Sequence, residues 1–224
     1  MFWMNKTEII FYKEILDRMD FNKIKLYKNP CIITMSGMAG SGKTTLAKEL
    51  SKQLNIYLLS QDFIRNYYCT NIEEYNEDKR LYIDSIVKKC NAQRLIKLLY
   101  RRIPFVIDGN INTKEKFDQL KLICLILKYK LIKIKINSND EDNIKRIISR
   151  PIGLTNIDER IIGDNVNYST HYTEKEYYEI KKRKIPKLED VEFDYILNNY
   201  NSSTEFLSDI NDVILDIKNK KLIL

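Results

Sequence analysis

The chain has 224 residues, 44% hydrophobic and 31% charged, with a formal net charge of +7. That length supports a well-buried core in a single domain and leaves little room for two full domains. The basic balance permits a polyanionic partner, but Lys, Asn, Ile and Tyr run through the whole sequence, so a general compositional bias explains it equally well.

In chain order, Thr7 to Met19 repeats apolar residues at helical spacing and predicts an amphipathic helix inside an N-terminal extension, residues 1–29. Asn5, Lys6 and Glu8 interrupt the apolar residues of this start, and no small-residue cleavage site follows. It therefore reads as neither signal peptide nor membrane span, and a soluble cytoplasmic protein without a membrane partner is expected. Cys31 to Ser36 is a short apolar run between Pro30 and Gly37, the pattern of a buried parallel strand. A helix over Lys43–Leu54, a strand over Asn55–Ser60 and a largely helical stretch from about Ile72 to Arg102 follow. A third strand ends at Asp108, then come a helix over Lys114–Tyr129, a strand over Leu131–Ile136 and a helix over Glu141–Ser149. Pro151 and Gly153 open an irregular stretch through about Tyr168, suited to a mobile lid spanning roughly residues 144–170. A strand over Phe193–Asn198 and a helix over Thr204–Lys218 close the series. Alternating strands and helices imply an α/β fold with a parallel sheet covered on both faces and ligands at the carboxyl ends of the strands.

The stretch Thr34–Leu50, TMSGMAGSGKTTLAKEL, carries the strongest chemical signal. Gly37, Gly42, Lys43 and Thr44 have the spacing of a phosphate-binding loop, and they lie between a predicted strand and a predicted helix as that motif requires. Glycines at 37, 40 and 42 let backbone N–H groups close around phosphate oxygens, and the helix beginning near Lys43 points its positive end at the same place. The expected nucleotide cradle is Gly37, Met38, Ala39, Gly40, Ser41, Gly42, Lys43, Thr44 and Thr45. Lys43 would meet the terminal phosphates of ATP, and Thr44 would hold Mg2+. Asp108, ending the strand PFVID, is the natural second magnesium residue, although Asp-Gly-Asn is also ordinary turn chemistry.

Asp62 and Arg65 lie just beyond the second strand, where an acceptor approaches the terminal phosphate. A carboxylate there can take the proton of an attacking hydroxyl, and an arginine one helical turn later can fix a phosphate or anchor that carboxylate; alternatively Asp62 is a helix N-cap. Arg146 and Arg150, four apart on a predicted helix, share a face that could close over the phosphates, or else pair with Glu141 and Asp142. Tyr68, Tyr75 and Tyr82 recur every seven residues and either stack on bases or pack as an aromatic seam. Lys181–Lys184 reads as a solvated helix end or a phosphate contact. The single histidine, His171, excludes a histidine triad or zinc cluster. Cys31, Cys69, Cys90 and Cys124 lack paired spacing and read as free thiols of a reducing compartment.

The order SGMAGSGKTTLAKEL, LLSQDFIR, FVIDGN, RIISR and a late DYILNN resembles the P-loop kinases, in the group that includes polynucleotide 5′-hydroxyl kinases and zeta-type toxins. The resemblance runs from about Ile32 to the C-terminus. It implies a P-loop NTPase fold like that of nucleoside and adenylate kinases: a three-layer sandwich on a five-stranded parallel sheet, strand order 2-3-1-4-5, with a helical lid. It implies Asp62 as general base, Arg65 at the acceptor, and Arg146 or Arg150 on the donor phosphates. The expected activity is transfer of the γ-phosphate of ATP to a hydroxyl acceptor, with a 5′-hydroxyl of DNA or RNA preferred. A small metabolite, nucleotide or nucleotide sugar is the alternative acceptor, and a regulatory ATPase switch the alternative class. ATP is preferred to GTP because the guanine-reading Asn/Thr-Lys-x-Asp pattern is missing after the third and fourth strands, NTKE at Asn112 coming nearest.

Overall fold

A computed structural model of the chain describes residues 6–22, 24, 29–71, 79–149, 163–164, 173–184, 188, 190–200 and 203–220. The elements are α1 (Lys6–Asp17), β1 (Cys31–Ser36), α2 (Lys43–Leu54), β2 (Tyr57–Ser60), α3 (Gln61–Asn71), α4 (Arg80–Tyr100), β3 (Phe105–Asp108), α5 (Lys114–Leu127), β4 (Lys130–Asn137), α6 (Asp140–Ile148), α7 (Glu174–Lys184), β5 (Tyr195–Asn198) and α8 (Ser203–Asn219). The sheet is parallel throughout, in the order β2-β3-β1-β4-β5. Strand succession reverses direction across β1, which is why the loop after β1 opens at the ligand-binding end of the sheet.

β1 is buried at every position, as a central parallel strand should be. Ile33 and Met35 pack with Leu46, Leu50, Ile134, Ile210 and Ile214 on one face of the sheet, under α2 and α8. Ile32 turns to the opposite face and packs with Leu98, Phe105 and Cys124, under α4 and α5. Coverage is not uniform: β4 alternates, with Ile132, Ile134 and Ile136 buried and Lys133 and Lys135 half-buried between them. The parallel sheet is nonetheless covered on both faces, as expected.

Two differences from the sequence reading have local causes. No loop separates β2 from the next helix: α3 starts at Gln61, and the Ser60 hydroxyl accepts the Phe63 N–H at 3.4 Å. Among the described side chains of α7 only Tyr177 is well buried, amid charged residues, so the helix carries almost no apolar periodicity. Lys181 in that helix pairs with Asp140 of α6 instead of being solvated. Arg150, His171 and Tyr75 lie outside the described residues. Among the described residues, no helix is long and apolar enough to cross a membrane.

Candidate active site

The loop from Gly37 to Gly42 is shaped by positions that only glycine suits. Gly40 and Gly42 have φ of +80° and +100°, and a Cβ at Gly42 would lie 2.7 Å from both the Asn199 amide and the Phe206 ring. A Cβ at Gly40 would meet the Asn143 carbonyl oxygen at 2.6 Å, because α6 packs directly on the loop. The Ser41 N–H donates to Met38 at 3.2 Å, Ser41 itself is buried, and the Gly37 N–H donates to the Asn110 side chain at 3.3 Å. Ala39 and Gly40 form the turn at the tip of the loop.

Lys43 lies back along this loop, donating to the carbonyls of Gly37 at 3.0 Å and Met38 at 2.5 Å. Thr44 donates its hydroxyl to Asp108 Oδ1 at 3.1 Å, so the α2 start and the β3 end meet. Ser60 approaches the other Asp108 oxygen at 3.5 Å, bringing in the end of β2. Burial, then the neighbouring charge of Asp62, push the Asp108 carboxyl up to about 6.

Asp62 stands in the first turn of α3, with its side chain 60% exposed, and it is not the N-cap because Ser60 fills that role. Arg65 bonds to Asp62 through Nη1 and to Asp84 of α4 through Nη2 at 3.0 Å and Nε at 3.3 Å. The arginine thus anchors the carboxylate, one of the two roles its spacing allowed.

Arg146 turns from α6 to the loop, donating to the Gly40 carbonyl at 3.5 Å and to Asn199, through its carbonyl at 3.1 Å and its side chain at 3.0 Å. Asn199 in turn donates to the Ser41 carbonyl at 2.9 Å. A cavity of about 510 Å³ opens here, lined by Lys43, Thr44, Thr45, Arg146, Asn199 and Phe206 among others. The tyrosine seam resolves differently: Tyr68 is 2% exposed and meets Phe11 edge to face at 5.0 Å, while the Tyr82 hydroxyl donates to Glu8 at 2.9 Å. Sequence reasoning missed Asn110, Asn143, Asn199, Ser60 and Asp84. Only the position of Asn199 just after the last strand hinted at a site role.

The comparisons with known proteins follow the same lines. Deoxyadenosine kinase of Dictyostelium discoideum is 26% identical over 185 residues, covering 81% of this chain and 69% of that protein. A chain from the structure of the PezAT chromosomal toxin-antitoxin system of Streptococcus pneumoniae superposes with a TM-score of 0.59 at 16% identity, over 99% of this chain and 96% of that one. Shikimate kinase from Bacteroides thetaiotaomicron gives 0.53 at 12% identity, over 84% of this chain and 98% of that one. Identities this low speak to the fold alone, which is that of the P-loop kinases. The family described as the AAA domain matches residues 32–147, more than half of the sequence, and the chain belongs to that family.

Proposed function

We propose that this protein is an ATP- and magnesium-dependent kinase that moves the γ-phosphate to the 5′-hydroxyl of a nucleoside. The observation that carries the reading is the pairing of Asp62 with Arg65 on a helix that begins where β2 ends, close enough to Asp108 for the two carboxylates to repel. A switch that only binds nucleotide has no use for an exposed, arginine-held carboxylate beside its phosphate loop.

The loop amides and Lys43 bind the triphosphate, with Lys43 leaving the Gly37 and Met38 carbonyls for the terminal phosphates. Thr44, Asp108 and Ser60 form an all-oxygen group that fits magnesium, and the described residues contain no cluster of three or more His, Cys, Asp or Glu side chains that would hold a metal without substrate. When bound, magnesium neutralises charge on the β- and γ-oxygens. Asp62 takes the proton of the acceptor hydroxyl as its oxygen bonds to the γ-phosphorus, the bond from that phosphorus to the bridging oxygen breaks, and ADP leaves. Arg65 holds Asp62 in place, and Arg146 faces the donor phosphates from α6. Arg150, four residues later, is proposed to share that duty.

A free nucleoside is favoured over a strand end for two reasons. The deoxyadenosine kinase relative spans most of the chain, and of the three tyrosines that could have stacked along a strand Tyr68 is committed to packing and Tyr82 bonds to Glu8, Tyr75 lying outside the described residues. The polynucleotide reading keeps its own support in LLSQDFIR and FVIDGN, which resemble the 5′-hydroxyl kinases.

The test is transfer of labelled γ-phosphate from ATP to deoxynucleosides, 5′-hydroxyl oligonucleotides, sugar acids and nucleotides, with wild type and Asp62→Ala. Label on a deoxynucleoside, lost about 10²–10⁴-fold in the variant while ATP still binds, is the expected result. Label only on oligonucleotide transfers the assignment to the second reading. ATP hydrolysis indifferent to Asp62→Ala, with no labelled product, makes the protein a switch.

A further inference from the structure

β2 is an edge strand, and two residues from far along the sequence occupy its outer side. Gly163 forms a parallel bridge with Leu58, and the Asp164 N–H donates to the Leu58 carbonyl at 3.0 Å. Gly163 has a φ of +106°, and a Cβ there would lie 2.5 Å from that same carbonyl oxygen, so the close approach needs glycine. The approach delivers Asp164 to Arg94 of α4, and the two form an ion pair with side chains 3% and 1% exposed.

The pair grips one residue from both sides. Asp164 Oδ2 accepts the Ser60 N–H at 2.6 Å, and Arg94 Nη1 donates to the Ser60 carbonyl at 3.3 Å. Arg94 also donates to the Tyr57 hydroxyl at 3.2 Å and sits 5.7 Å from the centre of the Phe63 ring. Ser60 is the corner at which β2 becomes α3: its hydroxyl caps the helix and approaches Asp108, and Asp62 and Arg65 stand on the turn that follows. A buried ion pair is a poor device for stability alone, since apolar side chains of similar volume often serve as well or better. Apolar side chains cannot supply directional bonds to both backbone groups of Ser60.

We infer that Arg94 and Asp164 are positioning residues for phosphoryl transfer, fixing the β2–α3 corner so that Asp62 and Arg65 stand at the phosphate loop. The inference rests on the kinase reading above and assigns a role to residues far from the phosphate-binding motif in sequence.

The test replaces both charges at once, Arg94→Met with Asp164→Leu, so that no unpaired ion stays buried, in wild-type and Asp62→Ala backgrounds. ATP affinity should hold within about threefold, while kcat for transfer falls about tenfold or more when Asp62 is present and not further when it is absent, the non-additivity of groups that act through one another. Hydrogen exchange at the amides of residues 60–64 should quicken about tenfold, with α2 and α8 unchanged. Wild-type kcat, an equal loss in both backgrounds, or unchanged exchange at residues 60–64 would each overturn the inference. If no acceptor on the panel is labelled, the kinase reading fails, and the exchange experiment still decides whether the pair holds the corner. Should the double variant not fold, Arg94→Lys, which keeps the charge beside Asp164 and lacks the second nitrogen that reaches the Ser60 carbonyl, goes through the same measurements with an expected loss of about three- to tenfold in kcat.

Discussion

In the proposed mechanism, Asp108 is the residue at which folding and function pull against each other. Its carboxyl is pushed up to about 6, first by burial and then by Asp62, against the bond from Thr44 and the charges of Lys43 and Lys48. Because this native value exceeds the roughly 3.9 of an unfolded chain, the native state holds more protons between about pH 4 and 6, and the ligand-free protein loses stability as pH rises through that window. Asp108→Asn keeps the shape and removes the charge. At pH 7 it should raise the melting temperature of the ligand-free protein by a few degrees while lowering transfer about 10²-fold or more, and the gain in melting temperature should shrink as pH falls toward 4. Calorimetry of both proteins at pH 7 and at pH 4.5 checks this. A lower melting temperature for the variant at pH 7 would mean that the Thr44 bond outweighs the desolvation of the carboxylate.

The elements that were legible in the sequence are those whose signals are local. β1 and α2 have the predicted bounds, Cys31–Ser36 and Lys43–Leu54, because a continuous apolar run and a glycine-rich turn need no tertiary information. The positions of the glycine-rich loop, Asp108, Asp62 and Arg65 in the fold were legible for the same reason, each tied to the end of a recognisable strand. Asn199, Asn143 and Asn110 were not: each acts through contacts with the loop across a distance of many residues, and an asparagine in a polar stretch looks like any turn residue. The Arg94–Asp164 pair was hidden in the same way, its partners lying 70 positions apart. Apart from its basic end, α7 escaped notice because its attachment to α6 is polar: Asp140 accepts from Lys181 and from the Tyr177 hydroxyl, the latter at 2.8 Å. Those bonds, Lys181 first, hold the Asp140 carboxyl below its usual range. A depressed native pKa contributes stability above the ordinary carboxylate range and loses it as pH falls through the native value. Asp140→Asn should therefore cost about 1 kcal/mol in urea unfolding at pH 7, and the difference from wild type should be smaller at pH 3. An equal cost at both pH values would assign the effect to shape instead of charge.

On the scale of the whole molecule, α1 is built into the side of the fold formed by α3 and α4. Phe11, Tyr12 and Ile15 pack with Ile64 and Tyr68 of α3 and with Ile83, Ile86, Val87 and Cys90 of α4, a third cluster beside the two that sandwich the sheet. Polar ties run the same way: Tyr67 of α3 bonds to Glu14, Glu14 also pairs with Arg18 at 3.0 Å, and the Tyr12 hydroxyl donates to the Ile86 carbonyl at 3.3 Å. The Phe11 ring, fully buried, lies 5.0 Å from Tyr68 and 6.2 Å from Tyr67. Phe11→Ala empties the centre of this cluster and should cost about 3–5 kcal/mol. If α1 folds together with the rest, urea unfolding followed by far-ultraviolet circular dichroism and by tyrosine fluorescence shifts to lower denaturant as one transition with both probes coincident. A helix that merely leaned on the surface would melt separately, leaving the main transition where it was. Because α3 carries Asp62 and Arg65 while the phosphate loop is supported by α2, α6 and α8, the same substitution should lower kcat for transfer more than it weakens ATP binding. A loss of ATP affinity equal to the loss of kcat would show that the two sides of the site are not mechanically separable.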